Sequence, residues 1–351
     1  MKQPTQPKVK GESTEVCAEP WEEMLDGVSD DIKLSSHFDA RTIDEASYLL
    51  RAYEVKRAKI IGGGTEVLRM MRQKYLPVLP GVLVNIKSIP GLVYIKEENG
   101  TLKIGALTCL SDIETSELIR AKYSILAETA GIVGSPQVRN MVTIAGSICQ
   151  DVGCWYYRAS KNYYHCLRKG GRDCPAKKGD NRWMFSIFGT SRECECYATC
   201  QSDMAITLSA LNASVKTTQR IIPFERFYTP TYPGNVLNPD ETVVEVQVPS
   251  PAPGTKAKYS KFSIRKSIDH PLISVACVAN DKEVNVIIGG VFLRPYRANE
   301  VEDMLKGKKI DEGLAEKAGE VAVKNAAPMS MNAWKVEVTK TLVKRTILAL
   351  T

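Results

Sequence analysis

No stretch of about 18 consecutive apolar residues occurs in the 351-residue chain, so the sequence offers no membrane-spanning helix. The opening segment, MKQPTQPKVKGESTEV, lacks the apolar core of a secretory signal, which predicts a cytoplasmic, reducing setting. The chain has no G-x-x-x-x-G-K-[ST] loop and no G-x-G-x-x-G fingerprint, and any nucleotide must therefore be held by another architecture. Basic residues are scattered and the formal net charge is a modest +7, so no tract speaks for nucleic-acid binding. The C-x4-C-x2-C ferredoxin pattern is missing as well.

What the chain does have is the balance of a soluble globular protein, 44% hydrophobic and 25% charged, at a length that calls for two or three domains. Residues 1–39, rich in Pro, Lys, Glu and Ser, read as an amino-terminal arm that could lie on a partner subunit. Residues 40–92 read as a small βαβ-type unit. Thr42 and Glu45 make a capping box ahead of a helix with Ile43, Ala46, Leu49 and Leu50 on one face, and a strand over 58–61 leads into Gly62-Gly63-Gly64-Thr65. A larger mixed α+β unit spans 93–250. It opens on a hairpin at Asn99-Gly100, and a second capping box, Ser111 with Glu114, follows. After the proline-rich linker PSPAPGTKAK, residues 257–351 read as three antiparallel strands and then helices, giving an α+β fold throughout.

Two glycine turns suggest a ligand. A triple glycine between strand and helix lets backbone amides approach a phosphate, although glycines also make plain tight turns. A second turn, Ala145-Gly146-Ser147, could face the same ligand. Seven of the ten cysteines crowd between Thr143 and Cys200, and in a reducing compartment such crowding points to a metal centre rather than to disulfides. Zinc and iron-sulfur clusters both accept thiolates. The loop is also aromatic (Trp155, Tyr156, Tyr157, Tyr163, Tyr164, Trp183, Phe185) and basic, with nine Lys or Arg against four Asp or Glu between Cys154 and Cys200. Paired C-x-x-C knuckles are absent, which counts against zinc.

The segments IIGGGTEVLRMM, QVRNMVTIAGSICQDVGCWYYR, CYATCQSDMAITLSAL, YSKFSIRKSIDHPLISVA, IIGGVFLRPYRA and NAWKVEVTKTLVKRTIL occur in the order found in the FAD-binding medium subunits of the molybdenum hydroxylases, the xanthine dehydrogenase and CO dehydrogenase flavoprotein family, which the chain resembles from about Ala40 onward. The resemblance implies that Ile61, Gly62, Gly63, Gly64, Thr65 and Glu66 wrap the FAD pyrophosphate and that Thr143, Ala145, Gly146 and Ser147 form a second flavin loop. It further implies that Asp203 bonds the nucleotide part, that Lys261 reaches toward the flavin and that Val243 is an apolar neighbour of the cofactor. Many members have Gly-Gly-Asn where this chain has Ala145-Gly146-Ser147, so one amide contact is lost or replaced. Without a ligand, Thr143 and Ser147 would be turn residues, Asp203 a helix-start residue and Lys261 a solvated lysine.

The cysteine-rich insert, over 149–200, marks the subset that resembles the 4-hydroxybenzoyl-CoA reductase β subunit, in which it holds a [4Fe-4S] cluster. Cys154-Trp155-Tyr156-Tyr157-Arg158 matches the start of that pattern and implies Cys154, Cys166, Cys174 and Cys196 as ligands, with Cys194 and Cys200 as rivals for the last place. Cys149, Cys17, Cys109 and Cys277 read as ordinary thiols. No molybdopterin stretch is recognisable. The resemblance therefore implies an oxidoreductase subunit that passes electrons between the [2Fe-2S] clusters of a small subunit, FAD and an external carrier such as ferredoxin. A large molybdopterin subunit would complete a heterotrimer, which can be doubled. A zinc-stabilised scaffold subunit and a stand-alone FAD oxidoreductase are the alternatives.

Overall fold

The computed structural model describes residues 36–351 apart from Pro77 and Ser267, so the expected arm up to residue 35, with Cys17, lies outside the described residues. Ser36–Asp39, at the end of that arm, forms a strand, β1, instead of continuing it. It is followed by helix α1 (Ile43–Ala52), β2 (Lys59–Ile61), α2 (Val67–Gln73) and β3 (Val82–Asn85), and the three strands make a parallel sheet in the order β1-β3-β2. Thr42 caps α1 as expected, accepting from the Glu45 amide at 3.0 Å. The Glu45 carboxylate closes the turn on the Arg41 amide, at 2.7 Å, one residue outside the expected box. Ala46, Leu49 and Leu50 then pack on Val82 and Val84.

The second sheet is antiparallel, in the order β4-β5-β8-β6-β7: β4 (Ile95–Glu98), β5 (Thr101–Gly105), β6 (Ser214–Thr217), β7 (Ile221–Pro223) and β8 (Val243–Pro249). Asn99 and Gly100 turn the β4–β5 hairpin with φ of 52° and 69°, the left-handed pair that matches strand twist. Helices α3 (Leu110–Thr115), α4 (Glu117–Lys122), α5 (Ser124–Gly131), α6 (Pro136–Arg139) and α7 (Ile144–Ile148) follow β5. The second capping box is displaced. Cys109 is the cap of α3 and its amide donates to Asp112 at 3.2 Å, while Glu114 instead accepts from Arg139 Nε at 2.8 Å.

The third sheet, β9 (Lys256–Phe262), β10 (Ile273–Ala279), β11 (Val284–Gly289) and the two-residue β12 (Tyr296–Arg297), is antiparallel, and α9 (Asn299–Leu305), α10 (Glu312–Ala322) and α11 (Trp334–Leu348) follow it. The short β12 is one strand more than the sequence suggests. Helix α8 (Asp203–Ala210) is buried along its whole length. Met204, Ala205 and Leu208 join the core of the second sheet, and Ile206 and Ala210 join Tyr259, Ala276 and Ile287 of the third. Wedged in this way, the start of α8 sits at the junction of both sheets. Among the described residues no helix is long and apolar enough to cross a membrane.

Candidate functional site

Strand β2 runs parallel to β3, and the chain leaves it through Gly62, Gly63 and Gly64 to enter α2. Gly64 has a φ of +75°, a left-handed value that glycine adopts without penalty. Gly63 is needed for a different reason: a Cβ there would lie 1.7 Å from the carbonyl oxygen of Met141. At Gly62 a Cβ would stand 3.6 Å from Thr143 Oγ1. The first glycine turn therefore lies against the Met141–Thr143 segment that leads into the second. Among the described residues the amides of Gly62, Gly63, Gly64, Thr65 and Glu66 donate no hydrogen bond. Five consecutive unpaired N–H groups ahead of a helix form a cradle for an anion, and the residues present thus fit a pyrophosphate.

The second loop is partly self-satisfied. Thr143 caps α7 and its Oγ1 accepts from the Gly146 amide at 3.0 Å, and the Ala145 amide donates to Ala106 at 3.2 Å. This is the turn role open to Thr143 and Gly146 without any ligand. Ser147 lies buried with its hydroxyl 3.4 Å from that of Ser202, the residue that caps α8. The second loop is thereby tied to Asp203.

Asp203 and Lys261 form a buried ion pair, Nζ to Oδ2 at 3.1 Å, with only 3% and 5% of the side chains exposed. Lys261 is accordingly not the solvated lysine a strand position suggests. Its ammonium also donates to the Ile132 carbonyl at 3.1 Å, and Tyr259 donates to the other carboxylate oxygen at 2.5 Å. Burial, and after it the charge of Asp203, raises the Tyr259 phenol well above its ordinary value and keeps it a donor. His270 retains solvent access, yet protein surrounds it densely enough that desolvation lowers its pKa, with Asp203 pulling the other way. Val243 is buried in the core beside Val142 and Ile144.

The insert between α7 and α8 holds no regular element beyond two single 3-10 turns, Leu167–Lys169 and Pro175–Lys177. Its core gathers Cys154, Cys166, Cys174 and Cys196 with Tyr157, Phe185 and Ala198, and packs on Met70, Tyr75 and Leu76 next to the first glycine loop. Of the four thiols, Cys196 accepts a backbone N–H, that of Ala198 at 3.5 Å. Burial, with repulsion among the four, pushes the protonated thiols up, Cys166 to about 11 and Cys196 to about 12. Of the rivals, Cys194 is disulfide-bonded. Cys200 belongs to the core of the second sheet beside Met204 and Ala205. Cys149 lies at the end of α7, with its thiol pushed up to about 12 by burial.

Among the described residues no three His, Cys, Asp or Glu groups stand close enough to hold one metal ion. Tetrahedral zinc needs four sulfurs about 2.3 Å from a single centre. In a cubane each thiolate binds a different iron, so the sulfurs stand further apart. Four buried thiols share one core with Tyr157, and the cationic groups of Arg168 and Lys169 lie 5.5 and 5.7 Å from the Tyr157 ring centroid, which is donor chemistry that a thiolate-bound cluster could use.

Arg158, four residues after Cys154, joins the two sites. Its guanidinium pairs with Glu66 at 2.7 and 3.3 Å and donates to the carbonyls of Val152 and Asp151 at 2.9 Å each. Sequence reasoning quoted Arg158 only as part of a motif and missed Tyr259, Arg168 and Lys335. Tyr259 was findable, because it lies two residues before Lys261 on a strand and so shares its face. No pattern marks Lys335, which is fully buried in α11 and donates to Phe185 and Gly290 carbonyls.

Comparison with known proteins accords with this geometry. Residues 33–251 match the FAD binding domain in molybdopterin dehydrogenase, and residues 258–350 match the CO dehydrogenase flavoprotein C-terminal domain. The aldehyde oxidoreductase FAD-binding subunit PaoB of Escherichia coli K12 is 33% identical over 273 residues, 74% of this chain and 83% of that protein. The carbon monoxide dehydrogenase medium chain of Hydrogenophaga pseudoflava is 26% identical, over 77% of this chain and 80% of its own. A chain from the solved carbon monoxide dehydrogenase of that organism superposes with a TM-score of 0.71 at 24% identity, covering 91% of this chain and 97% of its own, which supports the fold. With a family match over more than half its length and paired glycine loops that leave a row of amides free, the chain belongs to the FAD-binding medium subunits of the molybdenum hydroxylase oxidoreductases.

Proposed function

We propose that this protein is the electron-transfer flavoprotein subunit of a cytoplasmic molybdenum hydroxylase-type complex, of the subset with a [4Fe-4S] cluster typified by the 4-hydroxybenzoyl-CoA reductase β subunit. The proposed partners are a large molybdopterin subunit and a small [2Fe-2S] subunit in a heterotrimer, and a ferredoxin-like external carrier. The chain divides into an arm (1–39), flavin-binding parts (40–92 and 93–250, with the insert at 149–200) and a carboxyl-terminal unit (257–351). The observation that supports the cluster best is the set of four buried thiols, Cys154, Cys166, Cys174 and Cys196, gathered in one core with Tyr156, Tyr157 and Phe185.

FAD exchanges electrons singly or in pairs, and the cluster exchanges them singly. The chain's residues do the holding. The amides of Gly62 to Glu66 bind pyrophosphate, and Thr143, Ala145, Gly146 and Ser147 close the second side. Lys261, fixed by Asp203, presents a cation toward the flavin, and Val243 backs the site as an apolar neighbour. Cys154, Cys166, Cys174 and Cys196 hold the cluster while Tyr157, Trp155 and Phe185 exclude water from it.

Anaerobic purification tests the reading. A yellow-brown protein with a flavin band, a broad iron-sulfur shoulder and bound iron is expected. A colourless protein containing zinc would favour a scaffold subunit, and substrate turnover by a stable monomer would favour a stand-alone flavin oxidoreductase.

A further inference from the structure

Among the described residues Arg168 is the largest fully buried side chain. Only Nη1 of its guanidinium is satisfied, by the Pro230 carbonyl at 2.8 Å, and Nε and Nη2 have no hydrogen-bond partner. The nearest anion, Asp151, stands 3.6 Å from Nη2, too far for a hydrogen bond, and its other oxygen is taken by the Tyr157 hydroxyl at 2.5 Å. The guanidinium carbon lies 5.5 Å from the Tyr157 ring centroid. A buried guanidinium with two idle donors is costly unless something else accepts from it.

The neighbourhood indicates what that is. Arg168 follows Cys166 by two residues, and its guanidinium lies over Tyr157, which shares one core with Cys154, Cys166, Cys174 and Cys196. Lys169 is the second cation here. Its ammonium is held by the Ala159 and Lys161 carbonyls and lies 5.7 Å from the Tyr157 ring centroid. Asp151 is thus the one carboxylate paired with Arg168 among the described residues, and at 3.6 Å it leaves the Nε and Nη2 donors free for another anion.

We propose that Arg168 is a positioning residue for the four-cysteine site, a buried fixed cation that offsets the negative charge of the bound cluster and raises its reduction potential. The inference rests on the cluster reading given above. Adding one electron makes the site more negative, and a cation buried beside it in a poorly screened interior stabilises that reduced form over the oxidised one.

The test is a mediated redox titration with dithionite of the native protein, with its partner subunits where they co-purify, read from the cluster's fast-relaxing EPR signal at low temperature. Arg168→Gln should weaken reduction at least tenfold, a midpoint lower by about 59 mV for one electron. Arg168→Lys keeps the charge and should recover most of the shift. An iron-loaded Arg168→Gln protein with the wild-type midpoint overturns the proposal. Where Arg168→Gln fails to hold iron, retention by Arg168→Lys supports a charge role, and loss in both variants overturns it in favour of shape. Wild-type protein without iron would instead refute the cluster reading itself, so the two failures are distinguishable.

Discussion

Gly63→Ala is the sharpest perturbation of the flavin cradle. The added Cβ would lie 1.7 Å from the Met141 carbonyl oxygen and 2.8 Å from its carbon. A carbon–oxygen contact settles near about 3.3 Å, so the two loops must part by roughly 1.6 Å. Neither side can yield by rotating a side chain, since both are backbone. Overpacking of this kind costs about 1–3 kcal/mol. Because the strain falls where the two flavin loops meet, most of it should appear as lost FAD affinity, up to about 100-fold at 1.4 kcal/mol per decade. The assay is titration of the flavin-free protein with FAD, followed by fluorescence quenching, alongside a thermal melt. Gly91→Ala is the control. It has a positive φ, of 77°, which Gly63 lacks, but meets nothing within 4 Å, so it should carry only the left-handed strain of about 1–2 kcal/mol and leave FAD affinity alone. Wild-type FAD affinity in a Gly63→Ala protein with an unchanged melt would refute the reasoning.

Three further outcomes follow from the same geometry. Arg158→Leu removes a pair with Glu66 and two hydrogen bonds to carbonyls of the insert, and should destabilise the protein by about 2–3 kcal/mol and lower flavin and iron content together. Glu66→Gln should cost about 1 kcal/mol in the same melts, because its carboxylate is partly exposed and screened. Lys335 bears on pH. Burial lowers its pKa from 10.5 to about 7 in the folded state, so between those values the unfolded chain binds more protons, and stability should rise with pH by at most about 1.4 kcal/mol per unit. Chemical denaturation at pH 7 and pH 9 should show that rise in the wild type and a flatter profile in Lys335→Met; identical slopes would contradict a neutral buried amine.

Much of this was legible in the chain, and the remainder was hidden for physical reasons. Periodicity found α1 and the Asn99-Gly100 hairpin, because Ala46, Leu49 and Leu50 share one face and only a short list of residues adopts two left-handed conformations in a row. The capping box at Ser111 and Glu114 failed because Glu114 pairs with Arg139, a tertiary contact that overrides the local motif. Ser36–Asp39 gave no strand signal, because its pairing depends on β3, more than forty residues away. Within the site, each glycine turn was visible singly, but the contact of Gly63 with Met141 is a property of the fold alone. Asp203 and Lys261 were named as separate contacts to a cofactor, and the structure makes them one buried pair. Arg168 and Lys335 were illegible, since a buried cation looks in sequence like any surface one.

Iron content of single-cysteine variants, measured on anaerobically purified protein beside flavin content, tests the cluster assignment most directly. Cys196→Ser should lose iron while keeping FAD, because the free amides of the cradle belong to Gly62–Glu66 on a different loop. Cys200→Ser should keep both, since Cys200 packs with Met204 and Ala205 in another core. Iron retained in Cys196→Ser and lost in Cys200→Ser would contradict the four-cysteine site.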